Sequence, residues 1–155
     1  AATRDDVEEL VRLIRALAEY ERLLHLVEVT PQSLALQLFG PRPAAEAIVA
    51  TVDSAVVGFA LFFANFSTFL GRPGLYLEDL FVEPAQRGRG IGRGLLGHLG
   101  ALAVERGCGR FEWSVLEWNT ASIGFYEKMG AQLLPDWRIC RVSGPRLQAF
   151  ARDAG

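Results

Sequence analysis

The most constraining feature of this 155-residue sequence is a strand, a glycine-rich turn and a helix in immediate succession. Leu75 to Val82 is mostly apolar and β-prone and is closed by Glu83 and Pro84. Arg87-Gly88-Arg89-Gly90-Ile91-Gly92 follows, and Ile91, Leu95, Leu99 and Leu102 then recur at helical spacing. A turn so placed aims the unpaired N–H groups of the helix start outward, at the positive end of the helix dipole, where an anionic phosphate is stabilised. Glycine at alternate positions permits positive φ and close approach of the main chain to a ligand, while Arg87 and Arg89 add charge-assisted donors. Gly94, Gly97 and Gly100 inside the helix each cost about 1 kcal/mol relative to Ala, which predicts close packing against a sheet.

The remaining elements fall around this unit. Thr3 and Asp6 have capping-box spacing, and Val7, Leu10, Val11, Ile14, Leu17 and Ala18 form one apolar stripe of a first helix running to about Tyr20. Thr30 as cap and Pro31 at the first helical position announce a second helix that stops at Gly40. Ala47 to Val52 and Val56 to Phe66, with Asp53 and Ser54 between them, read as a hairpin. After the long helix, Phe111 to Leu116 reads as a strand, and Thr120 to Met129 as a short helix with Gly130 in its capping position. Trp137 to Val142 reads as a last strand and Pro145 to Arg152 as a terminal helix. This order predicts an α/β chain of the α+β kind, with a mixed, mostly antiparallel sheet and helices on both faces. Without a repeat or linker, one domain over residues 1–155 is expected.

Composition narrows the function classes. Half the residues are apolar and 22% are charged, enough to fill one core and too balanced for disorder. Sixteen basic against eighteen acidic residues offer no general attraction to nucleic acid or anionic lipid. No apolar run is long enough for a transmembrane helix, and Cys108 and Cys140 do not make a disulfide framework, so a cytoplasmic protein with reduced thiols is expected. His, Cys and carboxylates nowhere adopt metal-ligand spacing, and no metal is predicted. Gly92-Arg93-Gly94-Leu95-Leu96-Gly97 matches a dinucleotide fingerprint, but it starts inside the helix rather than directly after the strand, and that reading is set aside. His25 and His98 are read as solvated, and Trp113 and Trp118 as packing residues.

Arg87-x-x-Gly90-x-Gly92 after a strand resembles the pyrophosphate loop of the GCN5-related N-acetyltransferase (GNAT) superfamily. Tyr76-Leu77-Glu78-Asp79-Leu80-Phe81-Val82, Trp118-Asn119 and Ser122-Ile123-Gly124-Phe125-Tyr126 are similar to the diamine (spermidine/spermine) acetyltransferases and their thialysine-acetylating relatives. The likeness runs from Ile14 to Trp137, and the short strand that such proteins carry before the first helix is largely missing here. It implies the GNAT fold, acetyl-CoA as cosubstrate, a small amine as acceptor and a homodimer. A non-catalytic acyl-CoA-binding or regulatory protein on the same scaffold is the alternative.

The resemblance also implies site residues. Leu80, Phe81 and Val82 would meet the pantetheine arm through the main chain; Arg87, Gly88, Arg89, Gly90, Ile91 and Gly92 would hold the diphosphate, and Asn119 would contact coenzyme A. Glu78 would accept the amine proton through a water, since an amine near ~10 and a carboxylate near ~4 do not exchange a proton directly with ease. Tyr126 would return a proton to the thiolate. Tyr20, Glu21, Glu78, Asp79 and Trp137 would line the amine pocket. Strand alternation, meanwhile, predicts Glu78 and Asp79 on opposite faces. The loop before their strand, Thr68 to Pro73, lacks the acid and tryptophan of polyamine-specific members, which favours a shorter diamine or a lysine-like amino acid.

Overall fold

The computed structural model describes residues 1–153. The chain divides into two compact units, Ala1–Leu116 and Glu117–Gly155.

In the first unit, α1 (Val7–Tyr20) is preceded by a 3₁₀ turn that the predicted box holds, Thr3 N donating to Asp6 Oδ2 at 2.7 Å. Helix α2 (Pro31–Phe39) starts as its cap predicts: Ser33 N donates to Thr30 Oγ1 at 3.2 Å, and Thr30 N donates back to Ser33 Oγ at 3.0 Å. The sheet follows in the order β1 (Glu46–Val52), β2 (Ala55–Ser67), β3 (Arg72–Val82), β4 (Phe111–Trp113), antiparallel except for the parallel pair β3–β4. Helix α3 (Ile91–Glu105) makes the crossover between those two parallel strands.

The apolar stripe of α1 is buried at Val7, Leu10 and Val11 as its spacing suggests, whereas Ile14 and Leu17 are only partly buried and Leu13, outside the predicted stripe, is fully buried. Val7, Leu10, Val11 and Leu13 join Leu34 and Leu38 of α2 in one core with Ala47, Val56, Phe59, Leu61 and Phe81 of the sheet. Leu95, Leu96, Leu99 and Ala103 of α3 are buried outside that cluster, and α3 packs on β1, β2 and β3. Arg106, just past α3, grips Glu46 at the start of β1 through both carboxylate oxygens and lies over the Phe62 ring. The sheet is thus covered by α1 and α2 on one face and by α3 on the other.

Three expectations need correction. Gly94 and Gly97 are exposed, and a Cβ built at Gly94, Gly97 or Gly100 meets nothing within 4 Å, so these glycines are not packed against the sheet. The β3–β4 ladder ends at Leu77 and Trp113, so the fourth strand stops short of Leu116. Strand β3 begins at Arg72, which shortens the preceding loop.

The second unit holds α4 (Thr120–Lys128) and α5 (Pro145–Asp153). Gly130 closes α4 at φ 95°, its N–H donating to Glu127 O at 2.9 Å while Ala131 N donates to Tyr126 O at 3.0 Å. The strand predicted over Trp137 to Val142 is absent: those residues are exposed and make no ladder. Their apolar positions, Trp137, Ile139 and Val142, slip out of period two, and a Leu134–Trp137 turn opens the segment.

Candidate active site

The site of the first unit is made by an irregularity of β3. Phe59 pairs with Phe81 and Leu61 with Asp79, but Phe62 pairs with Leu77, which leaves Glu78 as an extra residue. Such a bulge inverts the phase of the bulged strand relative to its neighbour. Phe59, Leu61 and Phe63 alternate regularly along β2 and share the α1 face. Opposite them stand Phe81, Asp79 and Tyr76, the last stacked on Phe63 with ring centroids 5.2 Å apart. Period two places Glu78 with Tyr76 and Asp79 with Phe81, so both carboxylates lie on the α1 face. The expectation of opposite faces fails because the bulge adds one residue between them and the regular ladder.

Glu21 caps the C-terminus of α1 on the same face and completes an acidic trio. Burial, then Glu78 and then Glu21 push the Asp79 carboxyl up to about 7; burial alone pushes the Glu21 carboxyl up. Glu78 itself is exposed and Asp79 half-buried. A group whose folded pKa is raised binds a proton that the unfolded chain has released. Stability from Asp79 is therefore fully present below about pH 4 and is lost as pH rises to about 7. Asp79→Asn is accordingly expected to gain stability over wild type as pH rises through that window and to hold the gain above it. Urea titrations at pH 4, 6 and 8 measure the difference, and a difference independent of pH would contradict the assignment.

At the same bulge β3 leaves β4. Among the described residues β3 is paired beyond Leu77 only with β2, so its other edge carries no strand from Asp79 to Val82. Glu83 N donates to Val57 O of β2 at 2.9 Å, and alternation turns the main-chain groups of Val82 and Leu80 the other way, to the open edge. Val82 O is met there by Arg87 Nε at 2.9 Å. The predicted main-chain donors Leu80 and Val82 thus face the open edge, whereas Phe81 turns its backbone to β2 and buries its ring in the core.

The glycine-rich turn has the shape its sequence suggests. Gly88 and Gly90 take φ values of 76° and 83°, with open space where a Cβ would stand, so conformation and not crowding requires glycine there. Gly90 is the N-cap of α3 and supplies no side-chain acceptor to the first-turn N–H groups of Ile91 and Gly92. These donors fit a diphosphate, and the open edge fits an extended amide-bearing arm entering as an added strand. Arg89 is turned to Gln86 Oε1. Arg87 is engaged by its Val82 bond and by two rings, its guanidinium carbon standing 5.0 Å from the Tyr20 centroid and 5.5 Å from that of Phe81. Sequence spacing gave no signal for this contact, because Tyr20 belongs to α1.

Of the predicted residues in the second unit, Asn119 is buried and caps α4, its Oδ1 accepting from Ser122 N at 3.3 Å. Tyr126 is half-buried on α4 against Phe125, with centroids 5.4 Å apart, and Trp137 is exposed.

Residues 10–131 match the Acetyltransferase (GNAT) family. The chain is 34% identical to L-ornithine N5-acetyltransferase NATA1 of Arabidopsis thaliana, over 96% of this chain and 85% of that protein. It is also 34% identical to thialysine N-epsilon-acetyltransferase of Mus musculus, over 97% and 94%. Spermidine/spermine N(1)-acetyltransferase-like protein 1 of Homo sapiens matches at 34% over 97% of this chain and 23% of its own length. Among solved structures, an integron cassette protein from the mobile metagenome of V. cholerae superposes with a TM-score of 0.81 at 28% identity, covering 97% and 94% of the two chains. A bulged strand parting from its parallel neighbour, a glycine turn at a helix start and these likenesses have one common reading: the chain belongs to the GNAT acetyltransferase family and is an N-acetyltransferase.

Proposed function

We propose that the protein acetylates the primary amine of a short diamine or a lysine-like amino acid. The observation that carries this reading is the bulge at Glu78, which gathers Glu78, Asp79 and Glu21 on one face where β3 parts from β4. Three acids so close favour an ammonium ion over a neutral or anionic acceptor. Ornithine and thialysine, named for the two relatives that match along most of their length, are amino acids with a terminal amine.

Bound acetyl-CoA supplies the activated acetyl thioester. The donors of Ile91 and Gly92, with the turn before them, would hold its diphosphate, and the main-chain groups of Leu80 and Val82 would hold its arm. Fixed main-chain donors lose no rotamer freedom when negative charge develops nearby. Glu78, exposed and unpaired with β2, takes the proton of the amine through water, while Asp79 and Glu21 hold the ammonium form until then. Proton return to the thiolate would fall to Tyr126, whose hydroxyl can donate, and Asn119 contributes as cap of α4. Trp137 keeps the aromatic role at the amine that the family likeness gives it. A homodimer in the cytoplasm belongs to the same reading, supported by that likeness. Among the described residues no helix is long and apolar enough to cross a membrane.

Incubation with acetyl-CoA and a pooled set of diamines, polyamines, ornithine and thialysine tests the proposal. Mass spectrometry is expected to find mono-acetylated ornithine, thialysine or short diamines formed faster than acetylated spermine. Coenzyme A stabilisation in a melting assay without acetylation of any amine would instead indicate the non-catalytic alternative.

A further inference from the structure

We infer that Tyr20 is a positioning residue for the cofactor loop, acting through its stack with Arg87. The inference rests on the reading of residues 87–92 as a diphosphate site. Arg87 opens that loop, and its side chain points back into the protein. Nε donates to Val82 O at 2.9 Å, tying the loop to the last residue of β3, and the guanidinium carbon lies over Phe81 and Tyr20 at 5.5 and 5.0 Å from their centroids. Phe81 is buried core and gives a fixed floor. Tyr20 is the last residue of α1 and 37% exposed, so it is a wall contributed by a different element.

The loop needs such a wall. Gly88 and Gly90 sit at positive φ with no side chains to pack, and glycine surrenders the most conformational freedom on ordering. A loop that samples many conformations binds its ligand more weakly by the fraction of time it is misplaced. The stack on Tyr20 restrains Arg87 at the base of the loop before ligand arrives, in the manner of preorganisation. A second tie reinforces the arrangement, because Arg12 of α1 bonds Glu83 Oε1 at 2.6 Å and Val56 O at 3.0 Å. Helix α1 is thereby fastened at two places, by Arg12 to Glu83 just after β3 and by Tyr20 to Arg87 at the start of the loop, and Tyr20 is followed directly by Glu21 of the acidic trio. The residue beside the amine face thus sets affinity on the cofactor face, without touching the cofactor.

Isothermal titration of the 155-residue protein with coenzyme A, in the absence of any amine, tests this. Tyr20→Leu is expected to weaken coenzyme A binding about fivefold, and Tyr20→Phe, which keeps the ring, to stay within about twofold of wild type. In an Arg87→Gln background, which retains a donor but no cation, the Leu and Phe variants are expected to bind alike. Melting curves establish that each variant is folded. Equal affinity of wild type and Tyr20→Leu would overturn the inference, as would a Phe variant as weak as Leu, or a Leu–Phe difference that persists in the Arg87→Gln background. Wild-type protein that binds no coenzyme A would remove the cofactor reading, and this inference with it. Wild-type binding that is indifferent to Tyr20 would remove this inference alone.

Discussion

Glu78→Gln is expected to lower kcat by about two to three orders of magnitude while leaving the fold intact, the range attributed to loss of a positioned general base. The substitution keeps the size of the side chain and removes its charge and its ability to take a proton. Glu78 is exposed, so the effect on stability should stay within about 0.5 kcal/mol. A second readout separates this from a general loss of the site. Glu78 is one of the charges that hold the Asp79 carboxyl up, so in the Gln variant Asp79 should titrate lower. Single-turnover kinetics across pH measure both effects. Turnover of Glu78→Gln at the wild-type rate, with an unchanged pH profile, would remove Glu78 from the chemistry and shift attention to Asp79.

The largest stability effect is expected at Phe59. Its side chain is wholly buried at the centre of the sheet, opposite Phe81 and beneath α1 and α2. Phe59→Ala leaves a cavity that neighbours on three elements cannot all close, and about 3–5 kcal/mol is expected to be lost. That is a large part of the 5–15 kcal/mol typical of a domain, so guanidinium denaturation should show the midpoint fall steeply at constant slope. Phe69→Ala is the natural control, because Phe69 is 99% exposed at the β2–β3 loop and its loss should change stability by less than about 0.5 kcal/mol. Comparable losses at both positions would mean that the core is not where the burial of Phe59 places it.

What the sequence made legible were the features with local causes. The first half of the α1 stripe, the Thr30 cap, Gly130 at the end of α4 and the turn through Gly88 and Gly90 are all determined by residues close in the chain, and all appear where expected. The misses have non-local causes. The bulge at Glu78 is a property of the register between β3 and β2, and its only trace in the sequence is the pair of consecutive acids in an apolar strand. Arg87 reads as a phosphate ligand from its motif, and only folding reveals that α1 supplies the ring it lies against. The apolar residues around Trp137 suggested a strand, but β-propensity needs a partner edge to become a ladder, and none of the described residues supplies one. The helical glycines at 94, 97 and 100 were read as a packing device, yet they leave one flank of α3 bare.

The open length of β3 also bears on how the protein survives in solution. An unpaired strand margin normally invites another polypeptide to zip onto it, and rims of sheets are guarded against this by charge, proline or brevity. Here the bare margin is short, running only from Asp79 to Val82, and Arg87 already occupies one of its carbonyls. Brevity and that arginine leave room for a slender guest strand while giving a broad neighbouring sheet little to pair with.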